Sequence, residues 1–125
     1  MAYQNVSHHC VSLVAAGDLS TKQFCAVGVN SAGKAAIADA DDQVIGIVQN
    51  NPAAGQAATV AYGGVSKAKL GGTVAAGARV TANASGEIVA ASSAGDAVIG
   101  VALTGGASGE IVSILVHAFP FAVLA

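Results

Sequence analysis

Four groups of residues in this chain have types and spacing that could do chemistry. The run Gly28-Val29-Asn30-Ser31-Ala32-Gly33-Lys34-Ala35 matches the phosphate-binding pattern G-x-x-x-x-G-K, but Ala35 stands where a Ser or Thr hydroxyl would hold magnesium. That pattern also needs a helix after the lysine, whose amides and dipole hold the phosphates. Ala35 to Val48 instead reads as strand, acidic turn, strand, so Gly28 to Lys34 is expected to be a hairpin turn and a nucleotide-binding enzyme is the weakest reading. His8, His9 and Cys10 are metal-ligand types, but on a strand only His8 and Cys10 share a face. Zinc wants three or four ligands, and His117 and Cys25 would complete a set only if the fold brought them near. Asp39, Asp41 and Asp42 lack the Gly and Glu of a calcium loop, since Val44 and Asn50 occupy those positions. Ser108, within Gly106-Ala107-Ser108-Gly109, has no G-x-S-x-G context and reads as loop. No catalytic residue, metal ligand or cofactor site is therefore assigned, and the chain is read as a non-enzyme.

The elements that carry these residues come in two copies. Val44 to Gln56, VIGIVQNNPAAGQ, answers to Val98 to Glu110, VIGVALTGGASGE, at an offset of 54 residues. The turn Asn30 to Gly33 answers to Asn83 to Gly86 at an offset of 53. Gly33, Gly46, Gly55, Gly86, Gly100 and Gly109 are the scaffold glycines of this pattern. Short apolar runs between small polar turns predict strands at Phe24–Val29, Lys34–Ala38, Val44–Gln49, Ala57–Tyr62, Ala78–Ala82, Glu87–Ala90, Val98–Leu103 and Glu110–His117. The alternation of Val65 to Leu70 puts Val65, Lys67 and Lys69 on one face and Ser66, Ala68 and Leu70 on the other. Gly63-Gly64 and Gly71-Gly72 bracket that strand between the copies. Glycines recur too often for a helix of three turns, so the fold is expected to be mainly β: a small barrel or sandwich built from two repeated β units. Residues 1–17 read as an N-terminal arm or a first strand. Residues 18–125 read as one β domain, with copies at about 18–64 and 73–117, ending in an apolar tail.

Composition narrows the function. The chain has 125 residues, 54% hydrophobic but only 4% aromatic, so an Ala and Val core removes little apolar area per residue and association with partners would add what it lacks. A net charge of −2 with five scattered basic residues disfavours nucleic acid. Mean hydropathy is +0.64, yet no stretch reaches the length of a spanning helix, so no membrane partner is expected. MAYQNVSHHC lacks the basic-then-apolar order of a signal peptide, and Cys10 and Cys25 are expected to be reduced.

With the second copy laid out, four segments appear in order: Ala76-Gly77-Ala78-Arg79-Val80, Ser85-Gly86-Glu87-Ile88-Val89-Ala90-Ala91, Ile99-Gly100-Val101-Ala102-Leu103 and Ala107-Ser108-Gly109-Glu110-Ile111-Val112-Ser113-Ile114. This order resembles the small capsid cement, or decoration, proteins of tailed bacteriophages. The resemblance implies a β-rich structural virion subunit that forms a homotrimer on the outside of the assembled head, bound to the major capsid protein and bracing capsomers. It implies synthesis in the host cytoplasm and carries over no catalytic or cofactor residue. The chain departs from the family pattern at Gln56, which replaces a Glu, and in its tail Phe119 to Ala125. An alternative is a virion-surface spike or fibre-base module that binds a host surface component. Tyr3, Val6, Phe119, Phe121 and Leu124 are the candidate subunit or capsid contacts, because free apolar ends invite aggregation. Deleting residues 119–125 is expected to weaken self-association or head occupancy; unchanged mass by light scattering together with unchanged occupancy would remove the tail from the binding surface.

Overall fold

In a computed structural model of the chain, residues 9–38, 43–117 and 122–123 are described, and all their regular structure is β. The strands are β1 (His9–Val14), β2 (Ala26–Val29), β3 (Ala35–Ile37), β4 (Gly46–Val48), β5 (Ala57–Lys69), β6 (Arg79–Ala82), β7 (Ile88–Ala90), β8 (Ala97–Val98), β9 (Gly100–Ala102), β10 (Ile111–His117) and β11 (Ala122–Val123). The main sheet runs β3-β2-β4-β5-β10-β9-β6-β7, with β1 also on β5, and every ladder is antiparallel. A separate two-stranded sheet joins β11 to β8.

The sheet curls into a half-barrel, and its two outer hairpins meet. The Ala26 N–H on β2 donates to the Gly86 carbonyl in the β6–β7 turn at 2.7 Å, and the Lys69 N–H donates to the Phe24 carbonyl at 2.9 Å. Isolated bridges Ala15–Ala35 and Leu70–Ile88 draw β3 and β7 toward the ends of β1 and β5. This curl makes two apolar cores. One gathers Ala15, Leu19, Val27, Ala35, Val48, Ala58 and Val60. The larger one gathers Leu70, Val80, Ile88, Ile99, Val112 and Ile114 with Ala26, Val44 and Ile47 from the N-terminal half.

Strand β5 differs from the sequence expectation. Gly63-Gly64 was expected to separate two strands, whereas β5 runs through it for 13 residues. Gly64 takes a φ of +87°, so the strand bends there while staying in its ladders, an accommodation that glycine makes without strain. Ala57 to Gly63 pairs with β1, and Gly63 to Lys69 pairs with β10. The alternation beyond the bend follows the sequence: Ser66, Ala68 and Leu70 are buried, and Val65, Lys67 and Lys69 are half-buried. The expected strand Val98–Leu103 is also divided, into β8 and β9.

Gly46 and Gly100 are required by close approach. A Cβ on Gly46 would lie 2.1 Å from the Ala61 carbonyl oxygen, and one on Gly100 would lie 2.2 Å from that of Leu115. Backbone cannot yield as a side-chain tip can. Gly100→Ala is expected to cost about 1–3 kcal/mol, the range for overpacking a tight site. Gly17→Ala, where nothing lies within 4 Å, is expected to leave the urea midpoint unchanged or slightly raised. Equal midpoints for the two variants would contradict the close approach of β9 and β10.

Candidate interaction surfaces

The turn that resembles a phosphate loop is closed by its own hydrogen bonds. In the β2–β3 turn, Asn30 Oδ1 accepts from the N–H groups of Ala32 and Lys34, each at 3.0 Å. The Gly33 N–H donates to the Asn30 carbonyl at 3.0 Å, so the amides a phosphate would need are already engaged. The β6–β7 turn repeats this arrangement. Asn83 Oδ1 accepts from Ser85 at 2.9 Å and from Glu87 at 3.0 Å, and the Gly86 N–H donates to the Asn83 carbonyl at 3.0 Å. Gly33 and Gly86 have φ of +78° and +77°, which an Asn-led hairpin turn demands of glycine. A shallow cleft of about 310 Å³ lies beside β2 and β3, lined by Gly28, Val29, Asn30, Ala36, Ile37, Ala38 and Gln43, without Lys34.

The metal-ligand types are scattered. The His9 ring stacks on Tyr62 with centroids 5.7 Å apart; Cys10 is exposed and free, and Cys25 is buried and free. Burial pushes the Cys25 thiol above its ordinary value, with Lys22 and Lys69 pulling it down and Glu87 pushing it up. A raised thiol favours the neutral form, so this contribution is intact below the unfolded thiol's ordinary value and is lost as the pH rises from there through the folded thiol's raised value. Hydrogen bonds from Ser20 hold the exposed Asp18 carboxyl below its ordinary value. Among the described residues no three His, Cys, Asp or Glu side chains gather as a metal site. His8, Asp39, Asp41 and Asp42 lie outside the described residues, as do the candidate contacts Tyr3, Val6, Phe119, Phe121 and Leu124.

Two polar positions that differ between the sequence copies do the same work. Gln56 Oε1 accepts from the Ala53 N–H at 2.8 Å, and Glu110 Oε1 accepts from the Ala107 N–H at 2.5 Å. An amide oxygen and a carboxylate oxygen are both acceptors, so the replacement at Gln56 leaves the loop closed. Lys34 and Glu87 are not equivalent in this way. Lys34 is exposed, whereas Glu87 lies 3.6 Å from Lys69 Nζ.

What the surface does carry is apolar. Val11, Val14, Val29, Tyr62, Leu103, Ile111 and Leu115 are exposed. On the outward face of the C-terminal half, Arg79, Val101, Leu115 and Val65 oppose one another in a row across β6, β9, β10 and β5. Such a surface suits a protein partner rather than a small molecule. The profile of one protein family, described as phage cement protein, spans residues 6–117 of this sequence.

The chain belongs to the phage cement protein family.

It is a structural virion protein, as the order of motifs in its second half implied. The cement protein's fold is also that of the N-terminal base of the head fibre gp8.5 of bacteriophage phi29. That match has a TM-score of 0.68 at 13% identity, over 88% of this chain and 94% of the other. No curated protein sequence matches this one. The positions missed from sequence, Val11, Val29 and Leu115 on strands and Leu103 just past β9, are ordinary apolar residues, and only the curl of the sheet decides that they face outward.

Glu110→Gln is expected to leave cement-protein stability unchanged, because Gln56 shows that an amide fills the role. Glu110→Ala is expected to lose about 1 kcal/mol, the net worth of one hydrogen bond. Equal losses in the two variants, read from urea midpoints, would mean that the charge and not the hydrogen bond matters.

Proposed function

We propose that this cement protein binds the outer surface of the assembled head as a homotrimer, contacting the major capsid protein across capsomer seams. It is made in the host cytoplasm and joins the virion at assembly. Its mechanism is binding energy: each seam it spans gains buried area that must be re-exposed before capsomers part. No catalysis or cofactor enters this account. The observation that carries the reading is the family match over residues 6–117. Supporting it are the exposed Val11, Val29, Leu103 and Leu115 side chains, and an Asn30–Gly33 turn whose amides are spent on its own closure. A second reading, a base module for a surface fibre that reaches the host, is favoured by the fold shared with the head fibre base. The two agree on attachment to the head and differ in whether anything is displayed beyond it.

The test is co-sedimentation with undecorated heads, followed by thermal or osmotic challenge. The purified chain is expected to pellet with heads to a saturating ratio and to raise their disruption temperature. A chain that stays in the supernatant overturns the proposal. Saturating binding without a gain in head stability favours the fibre-base reading.

A further inference from the structure

The two halves of the sheet repeat their pairings residue for residue. Val11–Val60 answers to Ser66–Ile114, Val27–Ile37 to Val80–Ala90, Ala26–Ile47 to Arg79–Val101 and Ile47–Ala61 to Val101–Leu115, at offsets of 53 to 55 residues. The bridges Ala15–Ala35 and Leu70–Ile88 answer to each other in the same way. On this accounting the first unit begins at β1, not at Asp18, and β5 is both the last strand of the first unit and the first strand of the second.

Within the chain, the second unit sits on the back of the first. Gly86 accepts from Ala26, Lys69 donates to Phe24, and Gln49 Nε2 donates to Ser66 Oγ at 2.9 Å. The row Ala26–Ile47–Ala61 on the first unit is buried completely, with Ala26 and Ile47 in the second unit's core. Each side of this joint has a counterpart that is left open among the described residues. On the second unit the same row is Arg79–Val101–Leu115, where Arg79 and Leu115 are exposed. On the first unit the place of Gly86 is taken by Gly33, which has open space within 4 Å of its missing Cβ.

The exposed apolar residues follow this pattern. Val11, Val29, Tyr62 and Leu115 are 39–48% exposed, while their counterparts Ser66, Ala82, Val116 and Ala61 are 4% exposed or less. The hydrogen-bonded pair Gln49 and Ser66 has as its counterparts Leu103 and Val11, both apolar and both exposed. A polar contact inside the chain is thus mirrored by two apolar residues that face water on opposite units.

We propose that the chain is a tandem of two such units and that a second copy of the chain docks on its second unit as that unit docks on its first. The Gly33 turn and Val11 of one chain meet the Arg79–Val101–Leu115 row and Leu103 of the next, with Val11 against Leu103. The contact is head-to-tail, so repetition closes into a ring or runs on as a filament according to the rotation at each joint. It deepens the self-association in the proposed function but stands on pairings within one chain, and it needs no head to be present.

Val11→Asp and Leu103→Asp place a charge on each side of the joint at sites already exposed in a single chain, so each variant is expected to keep its β circular dichroism and its melting transition. By light scattering, wild type is expected to run as an oligomer and each variant alone as a monomer. An equimolar mixture of the variants is expected to run as a two-chain complex, because one intact joint remains between the unaltered Leu103 side and the unaltered Val11 side. A monomeric wild type, variants with wild-type mass, or a mixture that stays monomeric would each overturn the proposal. Failure to bind heads with this association pattern intact would count against the capsid reading alone.

Discussion

The structure depends on one strand having two sets of partners. Strand β5 holds β1 and β4 along its first half and β10 along its second, so both halves of the molecule hang on its backbone. A single strand of 13 residues that stayed straight could not follow a sheet curled this tightly. The bend at Gly63-Gly64 resolves the conflict, because glycine reaches positive φ without a side-chain penalty. The ladder to β10 runs through the bend without a break, while the ladder to β1 shifts register between His9 and Cys10 beside it.

The joint between the halves carries the clearest sign of strain. Phe24 is the only non-glycine residue with positive φ among those described, at +68°. A left-handed conformation costs such a residue about 1–3 kcal/mol, and it persists only where its surroundings hold it. Here its carbonyl accepts from Lys69, its N–H donates to Val48, and its ring packs on the larger core with Lys67 Nζ 5.8 Å above it. The half-buried ring packs against a core assembled from both halves, Ala26, Val44 and Ile47 from the first and Leu70, Val80 and Ile88 from the second. The packing that offsets the strain is therefore packing between halves, which ties the local conformation of Phe24 to the tertiary fold.

Much of this could be read in the sequence. The turns at Asn30–Gly33 and Asn83–Gly86 were legible because an asparagine that accepts from two amides and a glycine at positive φ are local requirements, satisfied by residues within a few positions. The buried face of Ser66, Ala68 and Leu70 was legible for the same reason, since alternation is a property of the strand itself. The family was legible because these local requirements recur in a fixed order. The continuity of β5 was not, because a glycine pair in a strand pattern is compatible with a break and with a bend, and only the partners on either side choose between them. Nor was the equivalence of Gln56 and Glu110 visible, since their letters differ in charge while the loop uses only an oxygen lone pair.

By itself, then, the sequence determined that this protein is made of short strands joined by glycine turns around a thin apolar core. Those outcomes rest on local backbone preference, side-chain volume and the chemistry available in each turn. Only the tertiary structure decided which strands are neighbours, where the two halves meet and which apolar residues are left facing water. Val11, Leu103 and Leu115 have no letter that marks them as surface. Leu103 and Leu115 are exposed because the curl of the sheet buries one face of the first half beneath the second and leaves the matching face of the second half open, and Val11 is exposed because it occupies on the first half the place that Ser66 takes inside that joint.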